Sequence, residues 1–94
     1  MADMTSAEKI AAVFDGMKAV VLEKNRRYGD SALAPIKIFA KSDSAEGIRI
    51  RLDDKLSRVR NCNKLRKNDI ADIIGYLSLL CVAEGWTEFG DLID

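Results

Sequence analysis

The sequence contains no histidine and has two cysteines. Without an imidazole, Ser-His and Cys-His nucleophilic machinery is excluded, because the hydroxyl or thiol lacks its usual base. Two thiols with no histidine provide neither a zinc-ligand set nor a disulfide framework, so Cys62 and Cys81 read as reduced thiols and the chain as cytosolic. No glycine loop of the G-x-x-x-x-G-K type occurs, which removes the phosphate cradle of the P-loop enzymes. The N-terminus lacks an apolar signal core and no run is long enough to span a bilayer, so neither secretion nor membrane insertion is expected. Net charge is absent as well: fifteen Lys and Arg balance fifteen Asp and Glu. That balance, with few aromatic residues, makes nucleic acid and anionic membranes unexpected partners. Internal repeats, low-complexity tracts and alternating strand patterns are also missing.

What remains is helical periodicity and a sharp segregation of charge. Residues 49–67 hold eight Lys or Arg against two Asp, whereas residues 68–94 hold six Asp or Glu and no Lys or Arg. Thr5-Ser6-Ala7-Glu8 reads as a capping box that opens a helix over residues 6–27, with Ile10, Val13, Phe14, Met17, Val20 and Val21 as its buried stripe. Tyr28-Gly29-Asp30-Ser31 ends it. A short helical piece over 34–41, opened by Pro35, is expected next. Asp43-Ser44-Ala45-Glu46 caps a second helix over 44–61, with core positions Ile48, Leu52, Leu56 and Val59. Arg51, Lys55 and Arg58 lie beside that stripe. Asn68 is the expected N-cap of a third helix over 69–84, closed by Gly85, and apolar nearly all round. The tail is expected to add a turn or two from Thr87 and to dock through Trp86, Phe89 and Leu92. The 94 residues thus read as a single all-α domain, a helical bundle of three main helices. A chain this short leaves apolar surface wet, so the core is expected to be completed by homo-oligomerisation.

The acids of the second half are the candidates for chemistry. Asp72 lies one turn inside an apolar helix, where a lone carboxylate needs a cation or a metal. Asp69 shares its face, and a divalent cation would relieve the repulsion between them; a first-turn acid also simply favours the helix dipole. Asp54 sits between Arg51 and Arg58, a spacing that equally suits a surface salt-bridge strip. Asp53 points to the other flank and reads as solvated. Lys24 is a weaker phosphate-binding candidate, since a lysine near a helix end reaches solvent easily. Carboxylate-held Mg²⁺ with Lys and Arg would suffice for phosphoryl or nucleotidyl hydrolysis by positioning and charge stabilisation.

Three motifs in order carry a family resemblance: Lys24-x-x-x-Tyr28-Gly29-Asp30-Ser31, Arg51-Leu52-x-Asp54-Lys55-x-x-Arg58 and Asp72-x-x-Gly75-Tyr76. Across residues 17–84 the chain resembles the phage and bacterial nucleotide modification-associated proteins, grouped with the MazG-like all-α nucleoside triphosphate pyrophosphatases. The resemblance implies a homodimer or homotetramer of paired helices, a Mg²⁺ cofactor and a (deoxy)nucleotide, including modified phage nucleotides, cleaved to monophosphate and pyrophosphate. It implies that Asp54, Asp69 and Asp72 hold the metal and carry catalysis. Lys24, Arg51, Lys55 and Arg58 would then steady the phosphates, and Tyr28 or Tyr76 would contact the base or sugar. The better-known pyrophosphatases carry E-E-x-x-E where this chain reads Asp53, Asp54, Lys55, Leu56, Ser57, so one acidic ligand is missing. That departure favours the rival of a non-catalytic nucleotide-binding or regulatory protein on the same scaffold. A helical assembly module is the second rival.

Overall fold

The computed structural model describes residues 3–29, 33, 43–62 and 64–93. They form three α-helices, α1 (Ser6–Tyr28), α2 (Ser44–Asn61) and α3 (Lys67–Glu84), followed by a 3-10 turn at Gly90–Leu92. No strand occurs among the described residues, and the expected piece over 34–41, with Pro35, lies outside them. Among the described residues no helix is long and apolar enough to cross a membrane.

The helix ends follow local chemistry. At α1 the Thr5 hydroxyl accepts from Glu8 N–H and the Glu8 carboxylate accepts from Thr5 N–H, both at 3.1 Å, a reciprocal pairing that satisfies two otherwise orphaned donors. Gly29 closes the helix at φ 65°, a backbone conformation costly for a residue with a Cβ. Asp43 Oδ1 accepts from Glu46 N–H at 2.7 Å at the start of α2. The expected Asn68 cap of α3 is corrected: the cap residue is Arg66, which makes no side-chain cap hydrogen bond, and the helix begins two residues earlier than expected. Arg66 C=O accepts from both Asp69 and Ile70 N–H, and Asp69 in the first turn complements the helix dipole that Asn68 was expected to cap. Gly85, left-handed at φ 78°, ends α3, while Trp86 N–H donates to Cys81 C=O at 2.8 Å.

α3 is the hub. α2 packs along it, the C-terminal half of α1 packs on its middle, and α1 and α2 do not pack on each other. The core is small: Ile48 and Leu52 of α2 are its buried apolar residues, each worth about 1.5–3 kcal/mol if fully covered. Four expectations need correction. Leu56 is exposed, and Lys55 takes the half-buried place beside Leu52 because its ammonium has an acid to reach on α3. The stripe of α1 is not buried: no residue of that helix is, and Met17 and Val21 are half-covered. The tail does not dock, since Trp86, Phe89 and Leu92 are exposed. α3 itself, expected to be surrounded by protein, is mostly half-buried, with Leu77 and Val82 exposed.

Candidate functional site

Asp72 stands where the three helices come together. Lys24 of α1 donates its Nζ proton to Asp72 Oδ1 at 2.7 Å, and Lys55 Nζ of α2 pairs with Oδ2 at 2.8 Å. The side chains of Asp72 and Lys55 are 22% and 18% exposed, and that of Lys24 is 50% exposed. Partial burial pushes the Asp72 carboxyl up, but the hydrogen bonds and positive charges of Lys24 and Lys55 outweigh it and hold the group below the ordinary carboxylate range. One carboxylate between two ammonium groups therefore ties α1 and α2 to α3. The need for a counter-charge at position 72 was readable from the sequence; in the structure a pair of lysines supplies it.

Beside this clamp lies a cavity of about 430 Å³, within the range of small-molecule sites. Val21, Ala71, Gly75 and Leu79 give it an apolar floor, and Lys24, Tyr28, Arg51, Asp72 and Tyr76 bring polar groups to it. Gly75 faces α1 with room for a methyl group: a Cβ there would stand 3.8 Å from Val21 Cγ2, an ordinary contact. Arg51 is exposed and makes no ion pair among the described residues, so its guanidinium is available to an anion. Lys55 is absent from the lining and reaches the site through Asp72. The cavity also takes in Asn25, which sequence reasoning overlooked although it lies three residues before Tyr28 and four after Val21, on the face those residues share.

The remaining candidates lie elsewhere. Arg58 and Asp69 line a second depression of about 330 Å³ with Ser57, Asn61, Cys62 and Arg66, and Asp69 is 9% exposed there. Asp54 is exposed and lines neither cavity. Among the described residues no group of three His, Cys, Asp or Glu is placed to hold a metal ion. Both Asp72 oxygens are engaged by lysines, which a cation would have to displace. In this arrangement Asp54, Asp69 and Asp72 are not gathered around one point: Asp72 meets the lysines, Asp69 lines the second depression and Asp54 lines neither cavity. Comparison with known protein families, characterised proteins and solved structures gives no match.

Proposed function

We propose that this chain is a nucleotide-binding protein, its 430 Å³ cavity taking a phosphorylated (deoxy)nucleotide. The observation that carries the reading is the convergence of Lys24, Arg51, Tyr28 and Tyr76, from all three helices, on one concave surface with an apolar floor. Lys24 and Arg51, with Lys55 behind Asp72, set three positive charges against one carboxylate, an excess that suits a phosphate chain. Tyr28, largely exposed, and the half-buried Tyr76 offer ring faces to a base or sugar. The expected homodimer or homotetramer belongs to the same proposal, because one chain buries two apolar side chains among its described residues.

Hydrolysis to monophosphate and pyrophosphate is the second reading, supported by the order of the three motifs. It requires Asp54, Asp69 and Asp72 to converge in a way this arrangement does not supply, so binding without turnover is the reading the geometry favours. Thermal-shift measurements with nucleoside mono-, di- and triphosphates, each in EDTA and in Mg²⁺, test both. Stabilisation in EDTA that Arg51→Gln abolishes supports the cationic cavity, since a ligand at a hundred times its Kd adds about 2.7 kcal/mol. Absence of any nucleotide effect would refute binding; pyrophosphate release with Mg²⁺ would promote the second reading over the first.

A further inference from the structure

Among the described residues the first half of α1 is uncovered. Every residue from 6 to 16 is exposed, including Ile10, Val13 and Phe14, the last at 71%. Ile10 and Val13 form a seam with Met17 and Val20, spaced three, four and three residues apart, which is the repeat of helices that pair lengthwise, and Phe14 flanks it. Nothing among the described residues accounts for the glycine beside that seam. Gly16 lies in mid-helix, where it costs about 1 kcal/mol relative to alanine, and a Cβ built there meets nothing within 4 Å. A glycine without an intrachain reason, next to an uncovered apolar seam, marks a place where something outside the chain comes close.

We propose that the occupant is a second copy of this chain, with α1 pairing antiparallel to α1 of the partner about a two-fold axis near Asp15 and Gly16. Charge along the helix selects that orientation. Residues 3–15 carry three carboxylates against one lysine, and residues 16–28 carry four cations against one carboxylate, so an antiparallel pair sets acidic halves against basic halves while a parallel pair sets like against like. The helix dipoles also oppose favourably in that sense. The same axis puts Ile10 against Val20 of the partner subunit and Val13 against Met17 of the partner subunit, as antiparallel seams require. It also brings Lys9 opposite Glu23 of the partner subunit and the two Gly16 positions together.

The area agrees. The chain exposes 7974 Å², whereas a compact monomer of 10.4 kDa would expose about 5400 Å². Its radius of gyration is 15.7 Å against about 12.4 Å expected for this length. Part of the exposed area lies on the uncovered α1 seam, where Ile10, Val13 and Val20 are 58%, 54% and 40% exposed, and a standard stable interface takes roughly 800 Å² from each partner. The inference deepens the self-association included in the proposed function and is independent of the ligand.

The test is light scattering of the full chain across micromolar concentrations, with disulfide trapping to read orientation. The parent is expected at a multiple of the 10.4 kDa chain mass. Val13→Glu, next to the axis and so present twice in the interface, should raise the dissociation constant at least tenfold while helix content by circular dichroism is kept. Gly16→Leu should also weaken association, although it would favour helix in an isolated chain. Gly16→Cys should cross-link to itself, and Lys9→Cys should cross-link to Glu23→Cys in a mixed sample but not to itself; peptide mapping separates these links from any through Cys62 or Cys81. A monomer at every concentration overturns both this inference and self-association. An oligomer unaffected by Val13→Glu, or one with Lys9→Cys joined to itself, overturns the antiparallel α1 pairing and leaves self-association and nucleotide binding standing.

Discussion

Replacing Asp72 by asparagine keeps the shape of the side chain and removes the charge that two lysines share. Asn can still accept from one ammonium group through its oxygen, but its amide then presents hydrogens to the other. The pair with Lys55 is the more costly to lose, because both side chains are about four-fifths covered; a hydrogen bond to a charged group in such a setting is worth about 1.5–3 kcal/mol. Lys24 is half-exposed, so its pair adds about 0.2–1 kcal/mol. With one acceptor retained, Asp72→Asn is expected to destabilise by about 2–3 kcal/mol. For a domain of this length that lowers Tm by roughly 10–20 °C. Differential scanning calorimetry in EDTA is the direct assay. Lys55→Met in the same background should recover much of the loss, since an apolar residue of similar length leaves no uncompensated charge. The opposite outcome is equally sharp. A carboxylate strained by neighbouring acids and awaiting a cation would make the asparagine variant as stable as the parent or more so in EDTA. That result would refute the clamp and restore Asp72 as a metal ligand.

Other measurements separate the roles of neighbouring residues. Arg51→Gln should leave the melting temperature of the free protein within about 1 °C, because an exposed side chain without an ion pair contributes little, yet reduce nucleotide-induced stabilisation. Lys55→Gln should do the reverse, lowering stability by about 1–2 kcal/mol with a smaller effect on ligand, and equal behaviour of the two variants would show that the assignment is wrong. Gly75→Ala should raise stability by up to about 1 kcal/mol through helix propensity, its methyl group meeting Val21 at ordinary contact distance; a marked loss would show that α1 and α3 approach more closely than 3.8 Å. Acid should weaken the clamp: the Asp72 carboxyl is held below its ordinary value when folded, so its stabilising contribution is complete above the unfolded pKa of about 3.9 and is lost as pH falls through the lower folded value. The stability gap between parent and Asp72→Asn should therefore be constant from neutral pH to about pH 5 and shrink below about pH 4.

Much of the architecture was legible because it rests on local chemistry. The Thr5–Glu8 box and the Asp43 cap place the starts of α1 and α2 at the expected residues, since each cap satisfies donors within one turn of itself. The start of α3 was less legible because no side chain marks it. Periodicity marked an apolar face on α1 and an apolar α3, but it reports that a face needs cover and not what covers it: the α1 stripe is uncovered and α3 is mostly half-buried. Leu56 and Lys55 illustrate the same limit: they are adjacent on α2, and the partner helix decided that the lysine turns inward. For the site, the burial argument gave Asp72, and the motifs of the family resemblance added Lys24, Tyr28, Arg51 and Tyr76; the fold brings these five to one cavity. Asp69 was grouped with Asp72 on the ground that three residues return to the same face. Three residues also rotate by about 60° and climb about 4.5 Å, enough to turn Asp69 toward the C-terminal end of α2 while Asp72 meets the lysines.

The clamp and the cavity share Lys24, and that sharing links packing to binding. Its ammonium group lines the cavity and at the same time neutralises Asp72. An anion bound there competes for the same charge, and whatever it withdraws from Asp72 falls to Lys55, which is well covered and held on the opposite oxygen. A second cation on Asp72 is thus what lets one of the two be drawn toward a ligand without leaving a half-buried carboxylate unpaired, a state that would cost several kcal/mol. Arg51 has no acidic partner among the described residues to give up, so meeting an anion would cost it nothing in helix packing. If the cavity takes an anion as proposed, Lys55 secures the fold, Arg51 would serve the ligand and Lys24 would divide its charge between them.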